Sequence, residues 1–165
     1  MTFSNMEALR ELNPSSEEVA ELARARQAGI TDQACLELLR IARGRAQPFA
    51  SGEAVAALWR VGVQEITILE LAQLGQLGLG VGEMQAMRLA GLPDAVLLAQ
   101  ARRRSQGLTV LSGPSLAHLK NAGMTDAGIL VLIERGVPDS ETETMVRLLQ
   151  RRYRPEEILR RYPGR

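Results

Sequence analysis

The chain has 165 residues, of which 45% are hydrophobic and 24% charged, a balance that supports a folded core and excludes a disordered chain. Aromatic residues make up only 3%, so the core must be built from Leu, Ile, Val, Met and Ala, which suits packed short helices and not a β-sandwich. The net charge of +1 excludes a uniformly basic protein, and a single cysteine, Cys35, excludes an internal disulfide or a zinc cluster.

At the N-terminus, residues 1–13 lack the positive segment and apolar run of a secretory signal. No apolar stretch reaches transmembrane length. The expectation is a cytoplasmic protein with no membrane partner. Helical periodicity and end signals then predict helices over 5–12, 15–28, 32–43, 52–61, 64–74, 82–90, 93–105, 114–121, 126–135, 139–153 and 155–161. Most are too short to persist alone and must be held by packing. Links fall at 44–52, 75–82 and 106–114. Within the last, Leu108-Thr109-Val110-Leu111 has a composition that suits extended chain.

One turn recurs: Ala28-Gly29-Ile30-Thr31-Asp32, Val61-Gly62-Val63-Gln64-Glu65, Ala90-Gly91-Leu92-Pro93-Asp94, Ala122-Gly123-Met124-Thr125-Asp126 and Arg135-Gly136-Val137-Pro138-Asp139. Its glycines lie 33, 29, 32 and 13 residues apart. Glycine ends a helix in the left-handed conformation without steric cost, and the apolar residue after it folds back on that helix. Thr31 and Thr125 are expected to cap the next helix. Pro93 and Pro138 suit a first helical position, and the acids Asp32, Glu65, Asp94, Asp126 and Asp139 suit the positive end of the helix dipole.

The flanks repeat as well. Seven and four residues before each glycine stand Leu22 and Ala25, Val55 and Leu58, Met84 and Met87, Leu116 and Leu119, Ile129 and Leu132. Six residues after it stand Cys35, Ile68, Leu97, Ile129 and, as the exception, Thr142. The expected fold class is therefore all-α: tandem short helix-turn-helix hairpins with a period of about 31 residues, packed as a compact α-solenoid-like array. A single helical-repeat domain over 1–165 is expected, with hairpin units at roughly 14–45, 51–75, 82–105 and 112–153 and a C-terminal basic helix over 155–165. The period resembles the helix-pair repeats of α-solenoids, without the diagnostic residues of the tetratricopeptide or ankyrin consensus. The Gly-apolar-Thr/Pro turn resembles that of helix-hairpin-helix modules but lacks their close pair of glycines.

Reactive chemistry is sparse. Gly78-Leu79-Gly80-Val81-Gly82 follows no strand and lacks the spacing of a phosphate loop, so it reads as a linker. His118, the sole histidine, lies between Leu116 and Leu119 with no acid or cysteine at a useful local spacing, and reads as a partly exposed helix residue. Cys35 occupies the repeat's core position and reads as a small buried hydrophobe. The turn acids already have structural roles, and no His/Asp/Glu/Cys set has metal-ligand spacing. No catalytic residue, cofactor or metal is expected.

Charge is unevenly spread. Residues 1–82 hold 7 basic and 10 acidic side chains, and residues 83–165 hold 13 and 9. From Arg147 onward 7 arginines face only Glu156 and Glu157. Arg102, Arg103 and Arg104 end one predicted helix. Arg147, Arg151 and Arg154 follow at i, i+4 and i+7 on another, with Met145, Val146, Leu149 and Tyr153 opposite them to face the core, and Arg160, Arg161 and Arg165 come after. These arginines are the candidate partner or anion-binding surface. The expected function is a non-catalytic protein–protein interaction or scaffold module whose partner is another protein. The alternatives are nucleic-acid binding through the same arginines, without aromatic stacking platforms, and self-assembly into a homo-oligomer.

Overall fold

The structure, a computed structural model, describes residues 3–78 and 80–163, with side chains from residue 7 onward. The described residues form α1 (Phe3–Leu12), α2 (Ser16–Ala28), α3 (Asp32–Gly44), α4 (Gly52–Arg60), α5 (Glu65–Gln73), α6 (Val81–Leu89), α7 (Asp94–Ser105), α8 (Gly113–Asn121), α9 (Asp126–Glu134), α10 (Thr142–Gln150) and α11 (Pro155–Leu159). A 3-10 turn over Asp139–Glu141 leads into α10, and no strand occurs among the described residues. No helix is long and apolar enough to cross a membrane. The fold is all-α.

The chain divides into two compact units, 1–81 and 82–165. In the first, α1 packs on α3, α2 on α4 and α3 on α5, while α2–α3 and α4–α5 also touch as sequential pairs. In the second, α7 packs on α9, α8 on α10 and α9 on α11, with α8–α9 and α10–α11 as sequential pairs. Packing between helices two places apart is what holds elements of nine to thirteen residues that could not persist singly.

The apolar register predicts the cores. All ten residues seven and four places before the turn glycines are buried, as are Ile30, Val63, Leu92, Met124 and Val137 directly after them. The position six places on is buried in every turn, including Thr142, whose hydroxyl has no hydrogen-bond partner.

The recurrent turn has the geometry its sequence implies. Gly29 has φ 111°, its N–H donates to the Arg26 carbonyl (3.0 Å), and the Ile30 N–H donates to the Ala25 carbonyl (3.2 Å). This paired closure satisfies the last free carbonyls of the helix. It is more widespread than the five glycines suggest. It also ends α5 at Gly75 and α7 at Gly107, and ends α3 and α10 at the non-glycine residues Ala46 (φ 51°) and Arg152 (φ 65°).

Thr31 and Thr125 cap α3 and α9 by accepting from the N–H groups of Ala34 and Gly128. Pro93 and Pro138 differ from expectation. Both stand one residue before the helix, in extended conformation, so that Asp94 and Asp139 take the first helical position. The acids also do more than meet the dipole. Asp32 pairs with Arg26 (2.7 Å) and Asp126 with Lys120 (2.6 Å), each across its own turn. Glu65 accepts from the N–H and Oγ1 of Thr31 (2.6 and 3.0 Å), and Asp139 from the Ser112 N–H (2.7 Å).

Two sequence expectations are corrected here. The helix expected over 139–153 is a 3-10 turn followed by α10, because the left-handed Arg152 stops it. The basic helix expected over 155–165 is helical only over 155–159, and residues 164–165 lie outside the described residues. Residues 108–112, whose composition suits extended chain, lie outside any helix or strand and are pinned by the Gln100 side-chain amide donating to the Leu111 carbonyl (2.8 Å).

Candidate partner-binding surface

The structure sorts the arginines singled out in the sequence into two groups. Those of the first group are spent on the fold. Arg103 donates through Nε to the Thr109 carbonyl (3.2 Å) and through Nη1 to the Glu134 carbonyl (2.9 Å), tying the end of α7 to the end of α9. Arg104 donates to the Glu83 carboxylate (2.6 Å). Burial pushes that carboxyl up, but the Gly113 N–H and the Arg104 charge outweigh it and hold it below the ordinary range. Arg102 is exposed on the last turn of α7 and makes interactions of its own.

The second group lies at the end of the second unit. Arg147 is on the outer face of α10, Arg151 is its C-cap, and Arg154 is the residue before α11. Arg152 falls between them in the left-handed turn. Because α10 ends at Gln150, Arg147, Arg151 and Arg154 do not share one continuous helical face. They are spread over a helix end, a turn and a helix start. Arg160 and Arg161 follow α11, and Arg165 lies outside the described residues. Arg147, Arg151, Arg152, Arg154, Arg160 and Arg161 are all exposed, and none forms a salt bridge with a described carboxylate.

Packing beneath this surface fixes it in place. Met145, Val146, Leu149 and Ile158 are buried, as the amphipathic pattern of α10 requires. Tyr153 departs from its expected core position: it is 40% exposed, and the Arg161 guanidinium lies over its ring at 5.2 Å. Arg135, from the end of α9, donates to the carbonyls of Leu159 (2.6 Å) and Tyr162 (2.7 Å), closing the C-terminal end of α11. The Tyr162 hydroxyl donates to Glu141 (3.0 Å), and burial together with that carboxylate pushes its pKa up to about 12. A groove of about 690 Å³ runs beside these residues, walled by Arg103, Glu134, Arg135, Glu141, Arg161 and Tyr162.

The remaining candidates have structural places. Cys35 is buried, and loss of water around it pushes the thiol up to about 11, the opposite of an activated nucleophile. His118 Nδ1 lies 3.7 Å from Glu143 Oε1, a pair brought together from α8 and α10 that local spacing could not reveal, and both side chains are open to water. Among the described residues no group of three or more His, Cys, Asp or Glu side chains is placed to hold a metal ion. In the segment 78–82, Leu79 lies outside the described residues, and α6 already begins at Val81.

One feature escaped the sequence reading. Glu18 is only 3% exposed and accepts from Arg43 Nη1 and Nη2 (2.6 and 2.7 Å), the Phe49 N–H (3.0 Å) and the Ser15 N–H (2.8 Å). Its Ser15-x-x-Glu18 capping box was legible as a helix start, whereas Arg43 and Phe49 come from 25 and 31 residues away. Comparison with family models, with curated proteins and with solved structures finds no match to this chain.

Proposed function

We propose that this protein is a non-catalytic, cytoplasmic helical-repeat module that binds an acidic partner protein through the arginine surface of α10 and α11. One observation carries the reading: six arginines exposed at one end of the second unit, with Glu156 and Glu157 as the only acids from residue 147 onward. Other guanidinium groups bind carbonyls and carboxylates of the fold, as at Arg43, Arg45, Arg103, Arg104 and Arg135. Exposed arginines in this number raise the local potential and favour an anionic partner.

The reading of the chain as tandem hairpins in a solenoid-like array is part of this proposal. The shared turn, the buried flanking positions and the packing of helices two places apart within each unit support it. Helical arrays of this kind present surfaces and not reaction centres, and a buried unpaired cysteine suits a reducing compartment.

The test is the triple variant Arg147→Glu, Arg151→Glu, Arg154→Glu, compared with the parent for binding of polyglutamate and of duplex DNA at two salt concentrations. The expected result is polyglutamate binding that falls at least about tenfold in the variant while helicity is unchanged, since three reversals remove six units of charge difference. Duplex binding without polyglutamate binding would transfer the surface to nucleic acid. No binding of either at low salt would overturn both readings, and mass that grows with concentration in light scattering would favour self-assembly.

A further inference from the structure

The two compact units carry the same internal cross-links at a nearly constant distance along the sequence. Glu21 accepts from the Gly52 N–H (2.8 Å), and Glu83 accepts from the Gly113 N–H (2.9 Å), with the acids 62 and the glycines 61 residues apart. At both glycines the backbones meet so closely that a side chain has no room. A Cβ on Gly52 would overlap the Glu21 carbonyl, and one on Gly113 would sit 2.5 Å from the Glu83 carbonyl oxygen. Arg26 donates to the Ile30 carbonyl (2.9 Å) and pairs with Asp32, while Arg88 donates to the Leu92 carbonyl (3.0 Å) and pairs with Asp94, each residue displaced by 62.

The displacement changes once. It is 62 at Gly29 and Gly91 and at Asp32 and Asp94, and 61 at Arg43 and Arg104, Gly62 and Gly123, and Gly75 and Gly136. The change falls inside α7, which has 12 residues where α3 has 13. Arg43 and Arg104 answer to each other in role too, since each binds a carboxylate from the helix before its own. In the first unit Glu18 binds the arginine and Glu21 the glycine N–H, whereas in the second Glu83 does both. The shorter hairpin period carries these links only in part: the charge pair across the turn recurs as Lys120 and Asp126 around Gly123, but three residues before Gly62, where Arg26 precedes Gly29, stands Trp59.

We infer that α2–α5 and α6–α9 are two copies of one four-helix unit, and that the two compact units built on them, with α1 added to the first and α10 and α11 to the second, open separately. The chain clusters into two compact units, and each of these devices acts inside one of them. Arg45 donates to the Gln73 carbonyl and Arg103 to the Glu134 carbonyl, each within its own unit.

Hydrogen exchange on the full chain tests this with Gly52→Ala and Gly113→Ala. Each substitution should speed exchange at least about tenfold across its own copy and leave the other within about twofold of the parent, because cooperative units open separately. Equal loosening of both copies by either substitution, or loss of structure throughout the chain, would overturn the inference. The gentler pair Arg26→Gln and Arg88→Gln must show the same confinement.

Discussion

Glu18 offers the sharpest test of what holds the first unit together. Replacing it with Gln keeps the shape but removes the charge that binds Arg43 and accepts from the Phe49 and Ser15 N–H groups. The Arg43 guanidinium holds the Glu18 carboxyl down at about 2, against an ordinary value of 4.5, with the Phe49 and Ser15 N–H groups assisting against burial. That displacement is worth about 3 kcal/mol at neutral pH. The Arg43 side chain is 36% exposed, and solvent screening brings the expected contribution toward about 2 kcal/mol. Between pH 4.5 and 2 the unfolded chain takes up a proton that the folded chain refuses, so this stability is complete above the unfolded value and is lost as pH falls through the folded one. Denaturant unfolding from pH 7 to 2, with hydrogen exchange to localise the change, should show Glu18→Gln less stable by about 2 kcal/mol at pH 6 and nearly level with the parent at pH 2. A difference that stays constant across that range, or one below about 0.5 kcal/mol at pH 6, would refute the assignment of the buried ion pair as a stabilising lock.

Two further outcomes follow from the titrating groups. Cys35, buried and pushed up to about 11, should react with iodoacetamide at pH 8 at least about a hundredfold more slowly in the folded chain than in denaturant, and a native rate near the denatured one would place the thiol at the surface. In a Tyr153→Phe background, where Tyr162 is the sole tyrosine, its alkaline absorbance change should centre near 12, and Glu141→Gln should bring it back toward 10. The folded phenol keeps its proton longer than the unfolded one, so the Tyr162 contribution to stability declines as pH rises from 10 toward 12.

What the sequence made legible was local. Gly29, the apolar residue behind it and Thr31 act within a few residues of one another, so their spacing states their geometry. The same holds for the buried positions seven and four before each glycine, which share one face of one helix. The closures at Ala46 and Arg152 were illegible because neither residue is a glycine, the residue type that signals a left-handed helix end. The misplacement of Tyr153 has the same origin: periodicity continued through Gln150 puts it in the core, while the turn at Arg152 swings it out beneath Arg161.

The arginine surface was legible as composition and not as geometry. A guanidinium that binds a main-chain carbonyl leaves no trace in spacing, because every residue has a carbonyl. Arg103 and Glu134 are 31 residues apart, and Arg135 and Leu159 are 24 apart, with nothing in either side chain to announce the bond. Only the three-dimensional arrangement separates such arginines from Arg147, Arg151, Arg152, Arg154, Arg160 and Arg161. That separation bears directly on the proposed function. Six like charges on α10, the turn after it and the chain just past α11 repel one another, a cost to the folded second unit that water and salt only partly screen. Arg135 and Glu141 hold α11 and Tyr162 against that repulsion from beneath. An anionic partner seated on this surface removes the repulsion at the same time as it forms its own contacts, so binding and stabilisation of α10 and α11 should rise together.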